Sequence, residues 1–254
     1  MHFFDSIQII IFIYLKMSTS YMYGIIGAMD HEIDTFLKNL ENKKEEKKFG
    51  LTFYLGKLKK YEVAIVKCGV GKVNAGRTAQ ILISEYSPKY IINTGIGGGL
   101  NKQLNIGDIV ISSDLIQHDF DVTFLGYAKG YMCTGENNKE PTKYIADKEL
   151  SEKIKKALEK VGGERHVFSG RILTGDMFIS SKEKREELVK DFDGFCCEME
   201  GAAIAQVASL NKVPFTVIRV ISDLPSGRGP DDFNNFEIEA AKLSSLALET
   251  FLDE

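Results

Sequence analysis

The ten residues YIINTGIGGG, positions 90–99, place a run of strand-forming side chains directly before a glycine-rich segment. The first half, Tyr90 to Thr94, has the character of a strand buried in a core. The glycines that follow let a flat ligand approach the backbone closely, although they are also compatible with a tight turn that binds nothing. A dinucleotide-binding GxGxxG motif begun at Gly95 would need glycine where Leu100 stands, and the chain contains no GxxxxGK[ST] motif. The stretch therefore predicts a buried strand that leads to a candidate site of another kind.

Strand and helix patterns alternate on both sides of this stretch. Further buried strands are predicted at 23–26, 109–111, 167–173, 195–197 and 215–221. Helices are predicted at 33–40, 74–86, 150–161, 202–210 and 243–250. We also expect a hairpin from 51–55 and 63–66, a solvated helix end and loop at 41–48, and a long loop at 126–142. This alternation predicts one α/β domain with a mixed central β-sheet flanked by helices.

Acidic residues follow several of the predicted strands, and ligands of α/β sheets bind beyond the carboxyl ends of strands. Glu32 lies in a first helical turn, where a carboxylate also stabilises the helix dipole. Asp223 ends an apolar strand and is either a helix cap or a functional group. Glu198 and Glu200 flank a methionine in apolar surroundings, and Arg219 is a candidate ion partner for one of them. Taken together, these carboxylates favour acid–base cleavage of a glycosidic bond.

Composition limits the class of protein. The chain has 254 residues, of which 44% are apolar and 27% charged, as expected for a folded domain with a substantial core. The net charge of -4 lacks the basic footprint of a nucleic-acid-binding protein. The four cysteines form no CxxC pair and the four histidines are scattered, so we expect reduced thiols, an intracellular protein and no metal site.

The N-terminal segment differs from the rest of the chain. An apolar run at 9–15 is too short to span a bilayer and lacks a basic residue before it. We interpret residues 1–21 as an extension from a misassigned start, with a signal peptide or anchor as the alternative, and residues 22–254 as the domain.

Motifs along this domain resemble those of the 5′-methylthioadenosine/S-adenosylhomocysteine nucleosidase family, within the purine nucleoside phosphorylase-like superfamily. The similar segments occur in the family's order from Met22 to the C-terminus. They are GIIGAMDHEI (24–33), GVGKVNAG (69–76), IINTGIGGGL (91–100), GDIVIS (107–112), HDFDVT (118–123), TGDMFI (174–179), EMEGAAIA (198–205) and VIRVISD (217–223). The resemblance implies a nucleoside phosphorylase-like fold.

The resemblance also implies two catalytic residues. Glu32 would deprotonate the attacking water, and Asp223 would protonate or hydrogen-bond the adenine at N7 so that it leaves more readily. A site poor in water would favour a protonated Asp223. Glu200 would hold the ribose hydroxyls, with Met199 beside the sugar.

Further binding residues follow from the same resemblance. Phe178 would stack on adenine and Ile179 would offer backbone hydrogen bonds to its edge. Gly98 would line the pocket floor, while Val70 and Phe233 would border the alkylthio group.

Glu198 and Ser222 complete the expected binding set, and the chain departs from the family pattern beside them. Ile96 replaces a serine whose hydroxyl can support the catalytic Asp223, which puts the surroundings of that carboxyl in doubt. The 126–142 segment, near the family's dimer interface, also diverges, so the preference at the 5′ end is less defined.

The implied function is hydrolysis of 5′-methylthioadenosine and S-adenosylhomocysteine, and also 5′-deoxyadenosine, to adenine and the sugar, in methionine salvage and methyl-cycle clearance. We expect a cytoplasmic homodimer that uses no cofactor and binds neither nucleic acid nor membrane. Alternatives are a phosphate-dependent phosphorylase, a futalosine-type hydrolase and a non-catalytic nucleoside-binding protein. The hydroxyl lost at Ile96 and the anion at Glu32 favour water over phosphate as nucleophile.

Overall fold

The computed structural model describes residues 21–133 and 139–224, and, near the C-terminus, 238, 242–243, 245–246 and 248–253. The predicted extension lies outside these residues except for Tyr21, as do Phe233 and part of the 126–142 loop. The described C-terminal residues are helical, as the periodicity of 243–250 predicts.

Strands and helices alternate along the described chain. The strands are β1 (Tyr23–Gly27), β2 (Glu41–Lys48), β3 (Leu51–Leu58), β4 (Tyr61–Lys67), β5 (Tyr90–Gly99), β6 (Ile109–Gln117), β7 (Tyr144–Ile145), β8 (Val167–Thr174), β9 (Cys196–Glu198) and β10 (Phe215–Asp223). The helices are α1 (Asp30–Asn39), α2 (Lys72–Tyr86), α3 (Lys148–Val161), α4 (Lys182–Phe192) and α5 (Gly201–Leu210), with a 3₁₀ turn at Thr123–Leu125. The predicted hairpin is confirmed as the antiparallel pair β3–β4.

Two predictions are wrong: the glycine-rich segment 95–99 continues strand β5 and does not follow it as a turn, and residues 41–48 form strand β2 and not a helix end and loop. The strand pairs antiparallel with β3 at the edge of the sheet and is exposed along most of its length. Its ENKKEEKK sequence has no apolar alternation because neither face is buried, so the pattern resembles a solvated loop. Charged side chains on an edge strand discourage pairing with a second molecule.

Within the described residues, a single ten-stranded sheet has the order β10-β6-β8-β9-β5-β1-β4-β3-β2, with β7 beside β6. Strand β10 also pairs with β5, so that β5, β10, β6, β8 and β9 close on themselves. Strand β5 runs parallel to β1 and β10 and antiparallel to β9, and the predicted mixed α/β architecture is confirmed.

Side chains of β1 divide the core between the two faces of the sheet, as the two-residue period of a strand requires. Ile25 packs into a cluster with Ile33 and Phe36 of α1. Its neighbour Ile26 packs into a second cluster with Ala79 of α2, on the opposite face. Burial of both faces explains the continuous apolar runs in β1, β4, β5 and β10.

The carboxyl ends of β1, β4, β5 and β10 lie at one edge of the sheet because these strands are parallel. Antiparallel pairing of Gly98 with Cys197 brings the end of β9 to the same edge. A Cβ atom on Gly97 would lie 3.1 Å from the carbonyl oxygen of Cys197, so the glycines permit this close approach. The strand ends that carry the predicted carboxylates therefore converge.

Candidate active site

A cavity of about 230 Å³ lies where the carboxyl ends of β1, β5 and β10 meet the end of β9. Every predicted site residue that the structure describes lines the cavity: Glu32, Val70, Gly98, Phe178, Ile179, Glu198, Met199, Glu200, Ser222 and Asp223. Ile96, the predicted departure from the family pattern, and Gly97 of the glycine-rich segment also line the cavity, together with four residues that were not predicted, Ala28, Met29, Met177 and Cys197. Within the described ranges, no group of three or more His, Cys, Asp or Glu side chains is arranged to hold a metal ion.

Glu32 is buried in the first turn of α1 and serves that helix as well as lining the cavity. Its Oε2 atom accepts hydrogen bonds from the backbone N–H groups of Ala28, at 2.5 Å, and Met29, at 3.1 Å. Burial raises the pKa of the carboxyl, while the Arg219 guanidinium and nearby backbone N–H groups oppose that rise. A Cβ atom on Gly95 would lie 2.5 Å from the Oε1 atom of Glu32, so the second oxygen rests against the glycine backbone.

Arg219 is a buried cation on β10 behind the cavity wall. Its Nη2 group donates to the Asn93 side-chain oxygen at 2.6 Å and to the Glu198 carboxylate, the ion pair that the sequence analysis left open. Burial alone would lower the pKa of Arg219, but Glu198, Glu200 and Glu32 together raise it. Three carboxylates therefore share one buried positive charge.

Glu198 is held by donors from three directions. Its Oε2 atom accepts from the backbone N–H groups of Glu200, at 3.0 Å, and Gly201, at 2.7 Å, at the start of α5. Its Oε1 atom accepts from the Thr174 hydroxyl. These contacts, together with the Arg219 ion pair, give Glu198 a structural function, and its part in substrate binding stays a prediction.

Glu200 faces the cavity and is held by the segment after β4. Its Oε1 atom accepts from the backbone N–H of Gly71 at 2.9 Å. Gly71 has a φ of 97°, a conformation that favours glycine, directly before α2. Burial, with a further contribution from Glu198, raises the pKa of Glu200 to about 7, while Arg219 opposes this rise. The carboxyl is therefore poised to change its charge near neutral pH.

Asp223 at the end of β10 has two side-chain donors. The Ser222 hydroxyl lies 2.8 Å from Oδ1, and the Arg185 guanidinium donates to Oδ2. Arg185 was not among the predicted site residues. A signal exists, since Arg185 shares the buried face of α4 with Leu188 and Phe192 at helical spacing.

The Ile96 side chain supplies no hydroxyl to Asp223, as the sequence predicts. Ile96 lines the cavity, and its side chain packs against the apolar cluster that contains Ile33 and Phe36. Ser222 and Arg185 supply the donors to Asp223, so this carboxylate is hydrogen-bonded without a hydroxyl at position 96.

The rim of the cavity is apolar and open. Phe178, Val70 and Met177 are 62%, 48% and 47% exposed, whereas Ile179 is buried. Exposed apolar groups beside a cavity are typical of a binding site or of an interface that a partner covers. An apolar ligand group would remove this surface from water.

The sequence matches both a family model and individual known proteins. A family model described as the phosphorylase superfamily matches residues 22–253. A 5′-methylthioadenosine/S-adenosylhomocysteine nucleosidase from Shewanella loihica is 40% identical over 90% of this chain and 97% of its own.

Solved structures agree with this match. An S-adenosylhomocysteine nucleosidase from Streptococcus pyogenes, in complex with 5-methylthiotubericidin, has a TM-score of 0.83 at 36% identity, over 92% of this chain and 97% of its own. A futalosine hydrolase from Helicobacter pylori has a TM-score of 0.82 at 28% identity, over 91% of this chain and 97% of its own. The chain belongs to the phosphorylase superfamily and, within it, to the 5′-methylthioadenosine/S-adenosylhomocysteine nucleosidase family. The family predicted from the motifs is confirmed.

Proposed function

We propose that the protein hydrolyses the N-glycosidic bond of 5′-methylthioadenosine and S-adenosylhomocysteine, releasing adenine and the corresponding thioribose. The observation that carries the proposal is the pair of carboxylates, Glu32 and Asp223, on one cavity in a member of the nucleosidase family. Water attacks C1′ of the sugar, and the C1′–N9 bond breaks with its electron pair passing to the purine. The sugar passes through an oxocarbenium-like state. Such an activity would serve methionine salvage and methyl-cycle clearance.

Glu32 is the general base in this proposal and takes a proton from the attacking water. Burial raises the pKa of its carboxyl, which brings the basicity of the group closer to the working pH. The N–H groups of Ala28 and Met29 hold Oε2, so we assign the proton of the water to Oε1, which lies beside the backbone of Gly95. A positioned base of this kind contributes roughly 10²- to 10⁴-fold to the rate.

Asp223 acts on the leaving group and Glu200 on the sugar. The Asp223 carboxyl hydrogen-bonds or protonates N7 of adenine, so that the purine accepts the electron pair of the broken bond. The Glu200 carboxylate accepts hydrogen bonds from the ribose hydroxyls, and with Glu32 it places negative charge near the cationic sugar. Both Glu200 and Glu32 interact electrostatically with the buried Arg219, which supports this arrangement.

The remaining contacts select the substrate. Phe178 stacks on adenine, the Ile179 backbone bonds its edge, Met199 packs beside the sugar and Gly98 lies at the pocket floor. Val70 borders the alkylthio group, and Ser222 orients Asp223 through their 2.8 Å contact. The proposed contact of Phe233 with the 5′ alkylthio group rests on the family resemblance.

We propose 5′-deoxyadenosine as a weaker substrate. It lacks the methylthio group that the exposed apolar side chain of Val70 would contact. Each buried CH₂-sized group contributes about 0.8 kcal/mol, so kcat/KM should fall by roughly tenfold relative to methylthioadenosine.

We also propose a homodimer that works in the cytoplasm. The support for the dimer is exposed apolar surface on the described residues: Phe124 is 98% exposed, Val73 80% and Leu125 64%. Large apolar side chains in such positions are typical of surfaces that a partner covers. None of the described helices is long and apolar enough to cross a membrane.

A product assay tests the activity. The protein is incubated with methylthioadenosine, with and without phosphate, and the products are separated by chromatography. Adenine and free methylthioribose without phosphate are expected. A requirement for phosphate with a sugar 1-phosphate product would identify a phosphorylase, and binding without any product would identify a non-catalytic protein.

The same assay with futalosine tests the second hydrolase activity. The similarity to the Helicobacter pylori futalosine hydrolase motivates this arm. Faster release of the base from futalosine than of adenine from methylthioadenosine would overturn the assignment of substrate.

The Glu32→Gln variant tests the role of the base. It should remain folded and lose nearly all turnover. The matched control is Asp30→Asn, which changes an exposed acid in the same first turn of α1 and should keep wild-type activity. Wild-type turnover by Glu32→Gln would contradict the mechanism.

A further inference from the structure

Arg185 is a buried cation on the inner face of α4, with 3% of its surface exposed. Burial of a guanidinium is unfavourable unless ion pairing and hydrogen bonds offset the lost hydration. The Asp223 carboxylate is its salt-bridge partner among the described residues. The side chain does not line the cavity, so any effect on substrate passes through the groups that it holds.

The guanidinium joins three segments of chain around the cavity. Its Nε and Nη2 groups donate to the Ile179 carbonyl at 3.1 Å and 2.9 Å. Its Nη1 group donates to the Gly99 carbonyl at 3.1 Å, and Nη2 also donates to the Asp223 carboxylate. The planar fork of an arginine fixes these directions relative to one another, which the single ammonium of lysine cannot do.

These contacts leave Asp223 little freedom to rotate. Arg185 holds Oδ2 while the Ser222 hydroxyl holds Oδ1 at 2.8 Å. A Cβ atom on Gly98 would lie 3.4 Å from Oδ2 of Asp223 and 3.5 Å from Nη1 of Arg185, so the pair lies directly beside the backbone of β5. The plane of the carboxylate is therefore set by the guanidinium and by the Ser222 hydroxyl.

We propose that Arg185 is a positioning residue that holds the leaving-group carboxylate of Asp223 in register with the Ile179 backbone, and so with the purine. The inference rests on the proposed function, in which Asp223 acts on N7 and Ile179 contacts the adenine edge. Because Ile179 and Asp223 share one rigid donor, a purine seated on the first is presented to the second at a fixed distance.

The experiment compares Arg185→Gln, Arg185→Lys and Asp223→Asn with the double variant Arg185→Gln/Asp223→Asn, by steady-state release of adenine from methylthioadenosine. Misplacement of a catalytic group by about 1 Å costs on the order of 10²-fold, so Arg185→Gln should lower kcat by roughly that factor. Arg185→Lys should recover part of the loss. The double variant should be no slower than Asp223→Asn, because both changes remove the same interaction.

Leu188→Val is the matched control for loss of packing. It lies on the same buried face of α4, in the apolar cluster that also contains Ile179, and it loosens this packing without removing a hydrogen bond of Arg185. Leu188→Val should therefore lower the melting temperature with a much smaller effect on kcat than Arg185→Gln. Variants are compared at a temperature where circular dichroism shows each to be folded. If Arg185→Gln does not fold, Arg185→Lys in the same cycle replaces it.

A second readout uses the nature of the leaving group. In the p-nitrophenyl glycoside of 5-methylthioribose, water attacks C1′ and p-nitrophenolate leaves with the electron pair of the C1′–O bond, without protonation of a purine nitrogen. Arg185→Gln should therefore lose much less activity on this substrate than on methylthioadenosine. Equal losses on both substrates, or additive losses in the double variant, would overturn the positioning role. If the wild-type protein does not cleave methylthioadenosine, the proposed function is overturned instead, so the two failures can be distinguished.

Discussion

Replacement of Gly95 by alanine should displace the proposed base without removing any functional group. The new Cβ atom would lie 2.5 Å from Oε1 and 3.1 Å from Cδ of Glu32, and 3.5 Å from Nη1 of Arg219. Ordinary van der Waals contact begins near 3.4 Å, so the carboxylate must move by about 1 Å. Ala28 and Met29 hold its other oxygen, which resists that movement.

The expected loss follows from the size of this displacement. A misplacement of about 1 Å costs on the order of 10²-fold in rate, within the 10²- to 10⁴-fold contribution of a general base. Overpacking should also lower the free energy of unfolding by about 1–3 kcal/mol. We therefore expect a folded Gly95→Ala protein with kcat for adenine release reduced about 100-fold.

Gly76→Ala is the matched control. Its Cβ atom would meet Val207 at 3.6 Å, an ordinary contact, inside helix α2. Alanine is favoured over glycine in a helix by up to about 1 kcal/mol, so this variant should be slightly more stable and fully active. Wild-type kcat in Gly95→Ala, measured with its melting temperature, would refute the link between the Gly95 contact and Glu32.

Three further predictions concern charge and assembly. The pKa of Glu200 is about 7 in the folded protein and 4.5 ordinarily, so its contribution to stability is present below pH 4.5 and lost as the pH rises through about 7. In chemical unfolding across this window, the free energy of unfolding of Glu200→Gln should depend less steeply on pH than that of the wild-type protein. An unchanged slope would contradict the shift. Glu198→Gln leaves Arg219 without its ion-pair partner and should cost about 3–5 kcal/mol in thermal unfolding, whereas the exposed Glu149→Gln should leave the melting temperature unchanged. Leu125→Glu should shift a dimer toward the monomer mass in light scattering, and an unaltered dimer would exclude this surface from the interface.

Local sequence patterns were sufficient for most of the architecture. Strands β1, β5 and β10 are buried on both faces, so their apolar runs record the burial directly. Strand β2 was missed because an exposed edge strand leaves no apolar period in the sequence. The pairing of β10 with β5, which closes the sheet on itself, could not be predicted from local patterns because it joins residues more than a hundred positions apart.

The candidate site divides in the same way. The sequence predicted its carboxylates, because Glu32, Glu200 and Asp223 stand in motifs that follow strands, where ligands of α/β sheets bind. The antiparallel pairing of β9 with β5, which brings Glu200 to the other two, was not predicted. Only the tertiary structure decided which cation pairs with which acid of the site: of the two candidates Glu198 and Glu200, Arg219 pairs with Glu198, and the unpredicted Arg185 pairs with Asp223. The physical reason is that periodicity along the chain reports which face of an element is buried. The partner of a buried charge depends on the register between elements distant in sequence.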